Sequence, residues 1–582
     1  MSLHVKASFL PYRPTLVQMD PGVEYDPQTA AAALLNFSPT RSGTTKTRGG
    51  YRAWKTDESI AVSSSATRPV ACWAGKLAGP GEFLLFASDD KAPAGGTTQA
   101  IRIHGTHFRE SSTAVFGGTY GEVPDVAIAG NRVYITRPGD RPISWRDVAG
   151  FAVEATMPSA RFVVSYKDRL ILIGLRDSPN SIAWSAAGRP TDFSGEGSGY
   201  AAIGSGQEGG LTGAKVFLDE LVLTTADSIY RFSFTDDAIG FIARQMSSVV
   251  GCVAHRSIAQ VGNDLYFLSS SGVHSLRQTE AYGDLEKSLV SPELVGLFGR
   301  LNASDLAESS AVYNPAEQKY LISVRVPVAV ASALGSKLPD WSPSPGDSSG
   351  YSVLLEQEVQ SGRWSVHDLP VGPMTLMDSK RGPFLGPMVV AGMAHSDGVT
   401  FGRIGTGDAF DMLENVHARE SDHSRYVSGR RSIRSVVRTM PINVGEARQK
   451  KDWRRVDLFF RSGAAAQGKL RYVLDQKFDV STAGRRDMKE KDFYLSPSGA
   501  KTWLGTASPA WSLGDGSVLY DEEMEAEKVS IDLEGHGRQI VLEIEIDSRP
   551  FELLGFELYF MPMASDIYEE VASADQISIP PN

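Results

Sequence analysis

Two cysteines in 582 residues, Cys72 and Cys252, are too few for a disulfide framework. No Cys-x-x-Cys pair is present, which excludes a cysteine-rich zinc site, and folding in a reducing cytoplasm is the simple expectation. No run of about 18 apolar residues occurs, so no transmembrane helix is expected. The opening residues Met1-Ser2-Leu3-His4-Val5-Lys6 lack the apolar core of an export signal. Two catalytic signatures are missing too: there is no HExxH and no P-loop. Excess positive charge is also lacking. The chain carries 58 Lys and Arg against 69 Asp and Glu, a net of −11, which argues against tight nucleic-acid binding by bulk charge.

The weak motifs have plain structural readings. Gly204-Ser205-Gly206-Gln207-Glu208-Gly209 fits GxGxxG, but Leu211–Thr225 after it is β-rich and opens no helix, so it reads as a loop. His104 and His107 would face opposite sides of a strand, and no third ligand is evident. Asp521-Glu522-Glu523-Met524-Glu525 lacks the glycine spacing of a calcium loop. Trp145, Trp184 and Trp364 sit at strand ends, where core packing explains them. The expectation is therefore no cofactor, no metal, no catalytic residue and no enzyme activity.

What the sequence does have is glycine, 57 residues, and a repeat. Val250–Arg277 contains Asn263-Asp264, the apolar strand Leu265-Tyr266-Phe267-Leu268, a turn at Ser269–Gly272 and a return strand Val273–Arg277. Aromatic and branched residues favour the pleated strand, and Gly272 suits the turn. The pattern recurs from Asn131 to Trp145, from Asp168 to Ser185 and from Asp219 to Phe232. Weaker copies join Glu82–Ala87 to Ile101–His104, and Gln318–Val324 to Tyr351–Leu355. Starts at 131, 168, 219 and 264 are about 40–50 residues apart, the length of a four-stranded propeller blade. A plain sandwich would place its turns about 8–12 residues apart, with no longer period. The fold expected is all-β: a six- to seven-bladed β-propeller, an antiparallel β-sandwich platform and a few short helices.

The expected domains are a lead-in at 1–64, the propeller at 65–430, the platform at 431–565 and a tail at 566–582. The lead-in should hold a helix over Thr29–Leu35, capped by Asp26, and pack with the platform. A second helix is expected at Ser291–Phe298 with Ser291 as cap, and 335–350 reads as an exposed loop. Residues 419–455 carry a net +7 and residues 521–547 a net −8. These segments read as complementary surfaces, within the sandwich or between subunits, with Arg430, Arg431, Arg434, Glu523 and Glu525 as candidate interface charges. Glu543, Glu545 and Asp547 alternate with Leu542, Ile544 and Ile546, the pattern of a strand with one acidic face.

Four stretches together resemble the tail nozzle proteins of short-tailed bacteriophages, also called tail tubular protein B or the packaged-DNA stabilisation hub. They are Asn36-Phe37-Ser38-Pro39-Thr40-Arg41-Ser42-Gly43 leading to Arg48-Gly49-Gly50, then Tyr166–Phe193, Val250–Arg277 and Arg538–Phe560. The resemblance is loose, covers most of the chain, and rests on the order of all four. It implies a structural subunit of a virion, assembled in the host bacterial cytoplasm into a homo-hexameric ring. That ring would continue the DNA channel below the portal and the tail adaptor protein, and retain packaged DNA and conduct it at ejection. Further implied partners are tail fibres or tailspikes, a needle or plug protein, and double-stranded DNA passing without specific binding; no membrane is involved. Under this reading the basic loop with Arg41, Lys46, Arg48 and Arg52 docks to the adaptor, and Glu543, Glu545 and Asp547 are candidate lumen acids. The alternatives are a propeller that binds a ligand or glycan, or a propeller hydrolase, outside any virion.

Overall fold

A computed structural model describes residues 6–11, 13–17, 30–53, 66–78, 81–91, 97–104, 110–117, 123–146, 149–204, 209–235, 240–277, 288–334, 351–379, 386–395, 398–406, 410–412, 430–444, 448–462, 466–475, 488–495, 527–547 and 551–563. They are mostly strand, with a few short helices, and the all-β class holds. No helix among them is long and apolar enough to cross a membrane.

The repeated hairpins are built as the sequence indicates. Four sheets of four antiparallel strands follow one another at 66–117, 125–153, 160–202 and 213–247. A three-stranded sheet spans 259–275, and further sheets begin at 310–367 and 371–406. Several turns are two-residue loops with both residues at positive φ: Gly130-Asn131, Lys167-Asp168 and Leu218-Asp219. Such turns match the right-handed twist of the flanking strands, and Asn and Asp tolerate the left-handed region well.

Each sheet buries a face against the next. Val70 and Ile101 pack with Val133 and Trp145. Ala127 and Tyr134 pack with Val163 and Leu172. Ile173 and Trp184 pack with Leu223 and Phe232. Phe217 and Val222 pack with Leu265 and Phe267. Leu268 and Val273 share a cluster with Tyr320 and Ile322. Leu321 and Leu354 meet Val371 and Val389. Last, Val390 and Phe401 pack on Cys72 and Phe86 of the 66–117 sheet, with the rings of Phe86 and Phe401 4.1 Å apart. Trp145, Trp184 and Trp364 are all buried, as core packing requires.

The 371–406 sheet takes its fourth strand from the N-terminal region, Gly50–Ala53, paired antiparallel with Gly402–Thr406. Phe410–Met412 and Arg430–Ser432 extend that sheet beyond Gly50–Ala53, and the other strands form two facing sheets. One contains Lys451–Ser462, Phe551–Pro562 and Glu527–Asp532, joined by Lys6–Pro11, Phe37–Pro39 and Thr45–Thr47. The other runs Ala30–Leu35, Arg434–Thr439, Ile540–Asp547, Ala466–Leu474, Lys489–Leu495, and is continuous with the 310–367 sheet through the pairing of Leu35 with Val366. Leu542, Ile544 and Ile546 of one share a core with Leu553, Phe556 and Leu558 of the other. Both ends of the chain thus contribute to this sandwich.

Two expectations change. Ala30–Leu35 is a strand, not a helix, paired with Thr15–Leu16 on one side and Arg434–Thr439 on the other. Alanine favours a helix, but five of the six residues are buried, and small side chains fit a strand enclosed on both faces. Asp26, its expected cap, lies outside the described residues. At 291–298 the helix is present but split into a 3-10 turn at Pro292–Leu294 and an α-turn at Val295–Phe298. Ser291 does not cap it; its hydroxyl instead accepts the N–H of Val273 at 3.0 Å. The expected loop at 335–350 lies outside the described residues.

Candidate functional site

Asn36 is the joint between sandwich and hairpin sheets. It is buried, with φ 57°. Its side-chain N–H donates to Arg434 O at 2.7 Å, and its Oδ1 accepts from Arg48 Nε at 2.8 Å and Asp368 N at 2.9 Å. Its backbone N–H donates to Val366 O and its carbonyl accepts from Arg48 N. One residue therefore ties the lead-in, the 310–367 sheet and the sandwich. Beside it Ser38, Lys319 and His367 surround the buried carboxylate of Glu356. Burial alone raises that carboxyl's pKa, but Lys319 and His367 overrule it and hold it at about 2.

This changes the reading of the basic loop. Arg48 is buried and bound to Asn36, so it is part of the joint and not of a docking surface. Arg52 is half-buried in the strand beside Arg403. Arg41 and Lys46 are exposed. Arg41 lines a cavity of about 580 Å³ together with Arg13, Arg363, Glu293, Val17 and Ala30. Arg363 holds the loop in place by donating to Gly43 O at 2.7 Å and to Thr40 O. Gly43 sits at φ 93°, and a Cβ there would lie 2.9 Å from Arg13 Nε, so the guanidinium rests on bare backbone. Sequence reasoning missed Arg13 and Arg363, which are hundreds of residues apart and meet only through folding.

The sandwich charges are satisfied internally. Arg438 Nε donates to Glu543 at 2.9 Å. Arg471 Nη1 bridges Glu543 at 2.9 Å and Glu545 at 2.6 Å, and Arg434 reaches Glu545 at 2.8 Å. Glu543 and Glu545 are only 4% and 7% exposed. Their expected role as lumen acids is therefore corrected: three arginines on adjacent strands cover them. Arg434 is likewise corrected from interface charge to internal ion pair. The complementarity of the basic and acidic segments holds within one chain. The strands bearing Arg430, Arg431 and Asp547 are described but their side chains are not, and Glu523 and Glu525 lie outside the described residues.

A second convergence lies at His255-Arg256-Ser257, inside the stretch that best displays the repeat. The first strands of neighbouring sheets run beside one another here. His255 Nδ1 accepts the N–H of Ala214 at 3.2 Å, which leaves Nε2 protonated and facing Asp125 Oδ2 at 3.3 Å. The same Asp125 oxygen accepts Val163 N at 2.9 Å, and the His255 ring stacks on Phe162 at 4.3 Å. Arg256 donates to Val70 O and, at 3.4 Å, to Glu308 O, and burial lowers its pKa to about 10, so it stays charged near neutrality. Glu308 is itself bound by Arg68 at 3.0 Å and Arg325 at 3.4 Å. Residues from six segments thus meet at one tripeptide. The signal was legible: His-Arg is the polar interruption of the apolar run Val250–Val261.

Among the described residues no group of three or more His, Cys, Asp and Glu could hold a metal ion. Of the His104–His107 motif only the backbone of His104 is described, and Ser205–Glu208 of the Gly204–Gly209 motif and His107 lie outside the described residues. No protein-family model matches the chain, and comparison with curated proteins finds no significant relative.

Proposed function

We propose that this chain is a structural subunit of a short phage tail: a seven-bladed β-propeller on a sandwich platform, assembled as a hexameric nozzle. Seven sheets that share apolar faces in cyclic succession, with the 371–406 sheet packed on the 66–117 sheet, support the propeller. The strand Gly50–Ala53 completes the last sheet from the other end of the chain, a device that closes such a ring.

The observation that carries the functional reading is the set of mutually bonded polar groups around His255–Ser257, where strands of several sheets converge. A propeller that binds a ligand or runs a hydrolysis along its axis needs open volume and convergent free polar groups there. Here His255, Arg256, Asp125 and Glu308 satisfy one another. That arrangement favours a rigid building block over the ligand-binding and hydrolase alternatives. DNA then passes through the opening between subunits, not through a propeller. The adaptor is met by the part of the basic loop that stays exposed, Arg41 and Lys46.

The test is the mass of the purified protein in solution, alone and with its tail adaptor. Six copies of 62.9 kDa, about 377 kDa, is the expected assembly. A species that stays at one copy under both conditions would defeat the nozzle reading.

A further inference from the structure

Among the described residues, the cavity beside the Gly43 loop holds more positive charge than it neutralises. Arg13, Arg41 and Arg363 all line it. None of the three makes an ion pair with a carboxylate among the described residues; Arg41 donates only to Ala316 O at 3.4 Å, and Arg363 only to Ser361 Oγ and two loop carbonyls. Burial dominates the lowering of the Arg363 pKa; the Glu358 carboxylate nearby opposes it, and Arg13 adds to it. Arginines gathered in a concave site repel one another, and an anion relieves that repulsion through charge-assisted hydrogen bonds. The lining also contains one acid. Glu293 Oε2 is buried and has no hydrogen-bond partner among the described residues, and burial raises the pKa of its carboxyl. A buried acceptor without a donor is costly, and it asks for an N–H or O–H from whatever fills the cavity.

We propose that this pocket seats an acidic peptide segment of a neighbouring protein. Its carboxylates pair with Arg13 and Arg41, and one of its backbone N–H groups donates to Glu293 Oε2. Arg363 shapes the site by holding the Gly43 loop. Val17 and Ala30 supply an apolar floor, and Gly43 and Gly362 let a peptide backbone come close. A nucleic-acid strand fits this chemistry less well. It offers phosphates to the arginines but places negative charge against Glu293, on a chain whose net charge is already −11. The inference concerns the ligand chemistry of the pocket; it shares Arg41 with the adaptor contact proposed above but does not rest on it, because binding is read on the isolated chain.

The experiment is fluorescence anisotropy with a labelled acetyl-Glu-Glu-Glu-Gly peptide and the full chain at physiological ionic strength. Saturable binding is expected. Arg13→Gln and Arg41→Gln, both surface changes, should each weaken it about tenfold, the loss of one charge-assisted pair. Arg300→Gln, exposed elsewhere, should leave it unchanged. Inorganic phosphate and single-stranded DNA should fail to displace the peptide from the parent, while phosphate should compete on Glu293→Gln, where the repelling charge is gone. The proposal is overturned if there is no saturable binding, if both arginine variants bind like the parent, or if DNA displaces the peptide better than unlabelled peptide does.

Discussion

Asn36→Ala probes the joint most sharply. The side chain makes three hydrogen bonds, at 2.7, 2.8 and 2.9 Å, to Arg434 O, Arg48 Nε and Asp368 N. The two neutral bonds contribute about 1 kcal/mol each and the one to the guanidinium about 1.5–3 kcal/mol. Alanine must also adopt φ 57°, which costs about 1–2 kcal/mol where asparagine is tolerated. The sum is a loss of about 4.5–7 kcal/mol. Asn36→Gly separates the terms: it keeps the backbone conformation and should recover only the about 1–2 kcal/mol of backbone cost. Urea unfolding followed by tryptophan fluorescence reads the change, since Trp364 and Trp453 share the core that the joint closes. Hydrogen exchange should show the first openings at 30–35 and 434–439. The reasoning fails if Asn36→Ala stays within about 1 kcal/mol of the parent, or if Asn36→Gly restores full stability, because the hydrogen bonds would then contribute nothing.

Glu543→Gln removes the carboxylate bound by the buried Arg438, itself 5% exposed, and should cost about 3–5 kcal/mol by denaturant midpoint. Burial pushes the Glu545 carboxyl up, but Arg434 and Arg471 hold it at about 2. A depressed carboxylate stabilises the fold fully above its unfolded value near 4.5, so this contribution of about 2–3 kcal/mol should vanish between pH 4.5 and about 2, and Glu545→Gln should flatten that part of the profile. His274 is fully buried between Ser271 and Ser288, and burial lowers its pKa from 6.5 to about 4. Its neutral form is favoured in the fold, so stability should be complete above pH 6.5 and fall by about 3 kcal/mol toward pH 4, a drop that His274→Gln removes. Burial raises the Cys72 thiol, and it raises Cys252 to about 11, so neither should react with a thiol reagent until urea unfolds the chain.

The hairpins were legible because they rest on local chemistry. Asn131, Asp168 and Asp219 mark turn positions whose positive φ those residue types favour, and period-2 alternation sets the strands between them. The alternation of Leu542, Ile544 and Ile546 with Glu543 and Glu545 gave the right strand and the right apolar face. It misplaced the acidic face, because pattern alone does not reveal that Arg434, Arg438 and Arg471 lie on the flanking strands. Ala30–Leu35 was misread because helix propensity is a local quantity, whereas its two strand partners come from 15–16 and 434–439. Arg48 looked like part of a free basic loop, and its partner Asn36 was only twelve residues away, but nothing in sequence marks a side chain as turned inward. The Arg13, Arg41 and Arg363 pocket lay beyond sequence reasoning for the same reason.

Single-particle imaging of the purified chain, alone and with the adaptor proposed for it, tests the central claim most directly. The account expects six copies around one open channel, each with a seven-bladed unit whose own axis is filled at His255–Ser257. Isolated single copies, an open arc that does not close, or a clear passage through the middle of each unit would contradict it.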